Sequence, residues 1–597
     1  MALSRRTLLR WGWGASLAPW AAGVGRALEA TSGIHTRVRP GEPGWPGERD
    51  WRALSRAVGG RLFVPESPFA HCGTAAQSRC TQALAQLKNP FFIGDEPALT
   101  QTSGYLDAWQ SVPSAYAVAA QSAQDVQAAV RFAARHRVRL VVKGGGHSYQ
   151  GTSCGADSLL VWTRPMHAVS LQEAFVPQGC AHLAPQPAVS VGGGTMWIDA
   201  YHAVTTDAGR YVQGGGCTTV GVAGLIQSGG FGSFSKRYGL AAAGLLEAQV
   251  VTADGAVRIC NECTHPDLFW ALKGGGGGTF GVLTRLTLRT RELPELFGAV
   301  ALQIRAANDE AWRALIAQTL AFYQRSLFNP HWGEQIRFHH DRRLEVSMVF
   351  QGLSAAQAQA LWAPFLAFVK ARKDLTLLQE PLILALPARH FWDADFMHKF
   401  APPGVFVADG RPDAPPFHVL WAGDQDQVGQ FLHGYQSAWL PAALLQEERR
   451  ASLAQALFEA SRIWTVSLHF NKGLAGAPPE EITAARHTAT NPRVLDAFAL
   501  AIIAGAGEPA YTGLPGAGPD LGKARRDAAD IARSMEALLL VAPGAGAYVS
   551  ESDYFQRDFA RAFWGSNAPQ LARIKRKYDP RGVFHVHHGV GSGESEP

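Results

Sequence analysis

The chain has 597 residues, 47% of them hydrophobic and 17% charged, with a formal net charge of +6. That length exceeds what one hydrophobic core supports, so two or more domains are expected, and the apolar content excludes disorder over most of the chain. The small charge, with no basic run outside the termini, argues against a nucleic-acid partner.

Residues 1–30 read as a leader. Ser4–Arg10, SRRTLLR, precedes the apolar run WGWGASLAPWAAGV and small residues near Ala27 and Ala30. Paired Arg5 and Arg6 before a short apolar segment point to bacterial twin-arginine export, and so to a periplasmic or secreted protein. The run is too short to span a bilayer, so no membrane association is expected once the leader is removed. Residues 31–110, rich in proline, glycine and small polar residues, read as an extension wrapped over the main body without chemistry of its own, with a possible Cys72 and Cys80 loop.

Residues 111–293 carry the first domain. AYAVAA around Tyr116 predicts a strand. Ser122 stands at an N-cap with Asp125 three residues on, and Val126, Val130, Ala133 and Ala134 recur at helical spacing. A second strand over 138–142 runs into Gly144, Gly145 and Gly146, then His147 and Ser148. Glycines after a strand let backbone N–H groups reach a ligand where a side chain would collide, which makes this turn a candidate anion cradle. A second glycine-dense segment, 211–240, holds Cys217. A third, 265–290, contains G-x-G-x-x-G at Gly276, Gly278 and Gly281. In a Rossmann site that pattern follows a strand and opens a helix. Here it follows the helix-like DLFWALK and leads into VLTRLTLRT, so the order is inverted.

Seven cysteines, Cys72, Cys80, Cys154, Cys180, Cys217, Cys260 and Cys263, suggest three disulfides and one thiol left over, with Cys217 the natural remainder. Cys260 and Cys263 have the spacing of a redox or metal pair but lack a second pair, which favours a structural role. Residues 294–540 mix strands such as RLEVSMVFQG with helices such as AAQAQALWAPFLAFVKA, predicting an antiparallel sheet backed by helices. Trp392, Phe396, His398, His469 and Phe470 are candidate pocket residues there. Residues 541–597 return to the first domain: a helix stopped by Pro580, then VFHVHH as a strand. His585 and His587 would share a face of that strand, but no carboxylate or cysteine accompanies them, so no metal site is expected.

The segments 141–153, 211–240, 265–290 and 563–591, in this order, resemble the berberine bridge enzyme-like branch of the vanillyl-alcohol oxidase family of flavoproteins. The resemblance implies an α+β, two-domain PCMH-type FAD-binding fold with an α/β substrate domain. It makes His147 the position that bonds the flavin 8α-methyl and Cys217 the position that bonds C6, so FAD would be held bicovalently. It also assigns to the cofactor Lys143, Gly144, Gly145, Gly146, Ser148, Val220, Gly221, Gly224, Gly229, Gly230, Gly281, Val282 and His587. Lys143 would neutralise the diphosphate, and valine at 220 goes with reactivity toward dioxygen.

For the base, the family often carries Y-x-N-Y-x-D near the C-terminus. Here YVSESD keeps Tyr548 and puts Glu551 in the second tyrosine's place, where a partly desolvated carboxylate would have a raised pKa. Reading TATNPRVLDAFALAIIAG against the catalytic stretch of berberine bridge enzyme itself puts Ala501 where that enzyme has its glutamate. The function implied is a small-molecule oxidase that moves hydride from an alcohol or hemiacetal carbon, of an oligosaccharide or secondary alcohol, to FAD, and reduces dioxygen to hydrogen peroxide. The alternatives are a dehydrogenase of phenolic or alkaloid secondary metabolites, or a flavin-binding protein without turnover.

Overall fold

Ser122 and Asp125 start the helix Ala123–His136 as their spacing predicts. In the computed structural model, which describes residues 37–72, 77–516 and 518–593, the Asp125 amide donates to Ser122 Oγ at 3.2 Å and the Ser122 amide to the Asp125 carboxylate at 3.1 Å. The helix Ala123–His136 buries Val126, Ala129, Val130 and Ala133. It joins two parallel strands of a four-stranded sheet, in which Ser158–Trp162 lies between Tyr116–Ala119 and Arg139–Lys143, and Leu62–Phe63 adds an antiparallel edge. Arg139–Lys143 is thus an edge strand, and its C-terminal end delivers the first glycine turn outside the sheet, where parallel α/β units bind ligands. The leader segment lies outside the described residues.

A six-stranded antiparallel sheet follows, ordered Val257–Cys260, Leu245–Val251, Val282–Glu292, Gln186–Gly192 and Val169–Phe175, with Arg210–Val212 also paired to Val282–Glu292. The third glycine segment leads from the helix Pro266–Leu272 into Val282–Glu292, the order that set it apart from a Rossmann turn.

Ten strands form the third sheet, whose centre runs Leu296–Ala306, Arg343–Gln351, Trp332–Phe338, Val466–His469, Ala497–Gly507 and Phe431–Pro441. Side chains alternate across it, as pleating requires. Ile336, Phe338, Val466, Leu468, Ala501 and Ile503 point into a core shared with the helices Asp309–Phe322, Ala355–Ala371, Glu447–Ile463 and Leu521–Leu539. Gln335, Arg337, Ser467, His469, Ile502 and Ala504 face a cavity on the other side. Ala501 is therefore buried on the helix side, and a carboxylate there would have no route to the cavity. The sequence comparison that put it in a catalytic position misjudged which face it presents.

The extension is part of this architecture. Gly104–Tyr105 pairs in parallel with Phe431–Pro441, and Trp109–Gln110 adds an antiparallel edge. Cys72 and Cys80 form a disulfide, and a second joins Cys180 to Cys263. Cys154, Cys217 and Cys260 are free, so two bridges and three thiols replace the three and one suggested by the count. At the C-terminus the helix Ala568–Tyr578 ends just before Pro580, but Val583–His588 forms turns instead of the expected strand, with His588 at φ 54°. Its backbone is fixed by side chains. Lys575 Nζ donates to the carbonyls of Phe584 and Thr279 at 2.6 and 2.7 Å and pairs with Asp579 at 2.7 Å, and Trp564 Nε1 donates to Gly274 at 3.1 Å. These bonds tie the chain end to the third glycine segment.

Candidate active site

Two glycine loops touch backbone to backbone. A β-carbon on Gly145 would lie 2.7 Å from the Thr219 carbonyl oxygen and 2.8 Å from the Gly221 nitrogen, and one on Gly221 would lie 3.0 Å from the Gly145 nitrogen. Only glycine permits that approach. The contact sets His147 Nε2 3.0 Å from Thr219 Oγ1 and brings His147 and Cys217 to the wall of one cavity of about 1350 Å³ beneath the ten-stranded sheet. Burial and the nearby Lys143 charge hold the His147 imidazole down to about 4, so it is neutral at ordinary pH.

Cys217 Sγ donates to Asp424 Oδ1 at 3.3 Å. Burial, reinforced by the Asp424 charge, pushes the thiol well above its usual range, and burial pushes Asp424 itself up to about 6. Gly144, Gly146, Ser148, Val220, Gly221 and Gly224 line the same cavity, as do Gly281, Val282 and His587. His587 Nε2 bonds the Tyr554 carbonyl at 2.7 Å, and its ring stacks on Tyr554 with centroids 3.7 Å apart.

Three residues expected at the cofactor lie elsewhere. Lys143 is fully buried, with Nζ donating to the carbonyls of Ile93, Glu96 and Leu99 at 3.1, 2.5 and 2.7 Å. All three donors are spent on the N-terminal extension, leaving none for a diphosphate. Gly229 and Gly230, at φ 97° and 72°, form a turn whose carbonyls accept from Ala242 and Ala241 at 2.9 and 3.0 Å. A β-carbon on Gly229 would meet Thr490 at 2.8 Å, and one on Gly230 would meet Leu225 at 2.8 Å, so both serve packing. Of the pocket candidates, Trp392, Phe396 and His469 line the cavity. Phe470 is buried against Tyr323 in the helix-side core, and His398 is exposed.

Tyr548 and Glu551 both reach the cavity. Tyr548 packs edge-on against Phe231 at 5.0 Å, and burial raises its phenol further. Glu551 does not stand alone in an apolar setting as expected. Lys472 Nζ donates to both of its carboxylate oxygens, at 2.5 and 2.6 Å.

Lys472, Asp424 and Glu334 are cavity groups that sequence reasoning missed. Glu334 is held in the left-handed region at φ 65°, accepts from Ser233 Oγ at 2.6 Å and Asn471 Nδ2 at 3.3 Å, and has its carboxyl raised by burial. A non-glycine residue kept in that conformation marks local strain of about 1–3 kcal/mol, of the kind found at functional sites. The signal available was Gly333, an isolated glycine in a strand pattern, whose β-carbon would lie 1.7 Å from the Ser233 carbonyl oxygen. Leu382, Leu384, Leu386, Trp392, Phe396 and Trp421 add apolar surface to the wall.

The lining fits a flavin dinucleotide. Gly144–Gly146 and Gly276–Gly278 present bare backbone to the cavity, a β-carbon on Gly224 or Gly277 would meet nothing within 4 Å, and buried Thr279 Oγ1 and His588 Nδ1 have no partner.

Comparison with known proteins agrees. Residues 114–261 match the FAD binding domain family and residues 547–591 the berberine and berberine like family. The chain is 28% identical over 584 residues to a VAO-type flavoprotein oxidase of Thermothelomyces thermophilus, covering 93% of each protein. It superposes on a VAO-type flavoprotein of Myceliophthora thermophila C1 with a TM-score of 0.75 at 24% identity, covering 93% of this chain and 97% of that one. It also superposes, with a TM-score of 0.59 at 19% identity over 82% and 94% of the two chains, on the glucooligosaccharide oxidase of Acremonium strictum, which carries a 6-S-cysteinyl, 8α-N1-histidyl FAD. These relatives are fungal, and no helix among the described residues is long and apolar enough to cross a membrane. The chain carries an FAD binding domain and a berberine-like C-terminal segment, is similar over most of its length to VAO-type flavoproteins, and is an FAD-linked oxidoreductase.

Proposed function

We propose that this enzyme oxidises an alcohol or hemiacetal carbon by hydride transfer to an FAD tethered through both His147 and Cys217, and returns the electrons to dioxygen as hydrogen peroxide. The observation that carries this reading is the meeting of His147 and Cys217, which come from two separate glycine segments, on one cavity wall. The two protein–flavin links of the Acremonium oxidase supply a precedent for the pairing. Residues 111–293 and 541–597 form the cofactor half in this reading, and 294–540 the substrate half.

When bound, FAD supplies the hydride acceptor and the route to dioxygen. The chain supplies the rest. Glu551, paired with Lys472, accepts the substrate hydroxyl proton as hydride leaves carbon, and the Lys472 ammonium faces the oxygen that loses it. Tyr548, kept protonated by burial, donates a hydrogen bond in the same space. Val220 lines the cavity and would leave room for dioxygen once a flavin is bound. Gln335, Ser467 and His469 offer polar contacts, whereas Leu382, Leu384 and Trp392 offer apolar ones. That division favours an alcohol carried on an apolar or aromatic body over a bare oligosaccharide.

Acid denaturation followed by ultrafiltration tests the tethering, and colour passing through the filter overturns it. A panel of aromatic alcohols, secondary alcohols and oligosaccharides, read by anaerobic bleaching and peroxide formation, tests the reaction. Bleaching without peroxide on admitting air would replace the oxidase by a dehydrogenase.

A further inference from the structure

The two flavin attachment residues sit in unlike surroundings. His147 is already a neutral imidazole, able to bond carbon without help. Cys217 is a half-buried thiol held protonated by its surroundings, and the thiol form is a poor nucleophile. The second link therefore needs a base where the first does not.

We propose that Asp424 is that base: it takes the Cys217 thiol proton as sulfur bonds to ring carbon six, so the chain carries its own catalyst for the second tether. The inference rests on the doubly tethered reading above and deepens it. Asp424 lies on the four-residue helix Ala422–Gln425, 207 positions from Cys217 in the chain, yet its Oδ1 is 3.3 Å from the sulfur. Its other oxygen, Oδ2, is buried with no hydrogen-bond partner, so nothing in the fold accounts for the carboxylate. No lysine, arginine or histidine pairs with it among the described residues, and Lys472, whose charge acts on the thiol, is bound by Glu551. The competing acceptor, Glu334, already receives Ser233 and Asn471 at its Oε1.

The step balances. The S–H bond breaks and its proton passes to Asp424. Sulfur bonds to carbon six, whose own hydrogen leaves as a second proton. The two electrons released pass through the ring to dioxygen, which takes both protons and leaves as hydrogen peroxide.

The test uses the full-length protein expressed with its flavin, digested and read by mass spectrometry. Wild type should give a flavin bridging the His147 and Cys217 peptides. Asp424→Asn keeps the side-chain shape without the basicity and should give flavin on the His147 peptide, with Cys217 open to alkylation after denaturation and bridge formation slowed by about 100-fold. Asp424→Glu should restore bridging, which a packing role would not predict. If Asp424→Asn does not accumulate as folded protein, Asp424→Ala is read in the same way. Bridging in the Asn or Ala variant as fast as in wild type overturns the inference and leaves the double tether standing. An absence of bridged peptide in wild type overturns the tether reading itself, and the inference with it.

Discussion

Lys472 Nζ stands 2.5 and 2.6 Å from the two carboxylate oxygens of Glu551, 79 positions further along the chain. The pair places an anion and a cation side by side in a half-buried cavity wall, which suits a group that must accept a proton while a neighbour steadies the oxygen left behind. Glu551→Gln keeps the volume and removes the basicity. Flavin reduction under anaerobic stopped flow should slow by roughly 100-fold or more, with the amount of bound flavin unchanged. Reduction at the wild-type rate would remove Glu551 from the chemistry.

Lys143 fastens the extension to the first glycine strand. Lys143→Met leaves the carbonyls of Ile93, Glu96 and Leu99 buried without their donor. A loss of about 3 kcal/mol or more is expected, since each orphaned buried acceptor costs about 1–3 kcal/mol. Denaturant melts and limited proteolysis should show earlier unfolding and cleavage within residues 90–110, while the flavin that remains is still covalently attached. Loss of flavin without loss of stability would return Lys143 to the diphosphate.

Gly145→Ala drives a methyl into the Thr219 carbonyl and the Gly221 amide, both backbone and unable to rotate away. The loops must separate, at about 1–3 kcal/mol or more. The ratio of flavin to protein absorbance should fall, because the same contact carries His147 and Cys217 to one wall.

His418 gives a pH-dependent test of stability. Burial alone would lower its pKa, but a hydrogen bond to Asp199 and the Asp409 carboxylate 3.7 Å from Nδ1 outweigh it, against opposition from Arg164, and hold the imidazole above its ordinary value. A folded pKa above the unfolded one means the stabilisation is complete below about pH 6.5 and is lost as pH rises through the folded value. The melting-temperature gap between wild type and His418→Gln should therefore be wider near about pH 5.5 than near about pH 9. An unchanged gap would show that the ring acts by its stacking on Phe91, with centroids 4.5 Å apart.

The parts of the molecule legible in the sequence are those governed by neighbouring residues. The Ser122 capping box, the helix after it and the glycine turn after the next strand depend on spacings of a few positions, and all three stand where the pattern puts them. The cavity-facing strands followed too, but a strand's face is set by a two-residue period, and a match anchored on Ala501 named the wrong side. The charge pairing was not legible. Glu551 meets Lys472 and Cys217 meets Asp424 across 79 and 207 positions, and those meetings depend on how the ten-stranded sheet closes over the loops. Lys143 misled for a related reason: its charge suits a phosphate, but the extension reaches it first.

The alternation of the ten-stranded sheet has a consequence for how the enzyme can be altered. On Trp332–Phe338 and Val466–His469, Ile336, Phe338, Val466 and Leu468 anchor the helices, whereas Gln335, Arg337, Ser467 and His469 face the cavity, as does Glu334, whose left-handed backbone breaks the alternation. Combinatorial libraries confined to positions 335, 337, 467 and 469 would explore new specificities while leaving the helix contacts intact, so selectivity and thermal robustness are separately heritable traits in this scaffold.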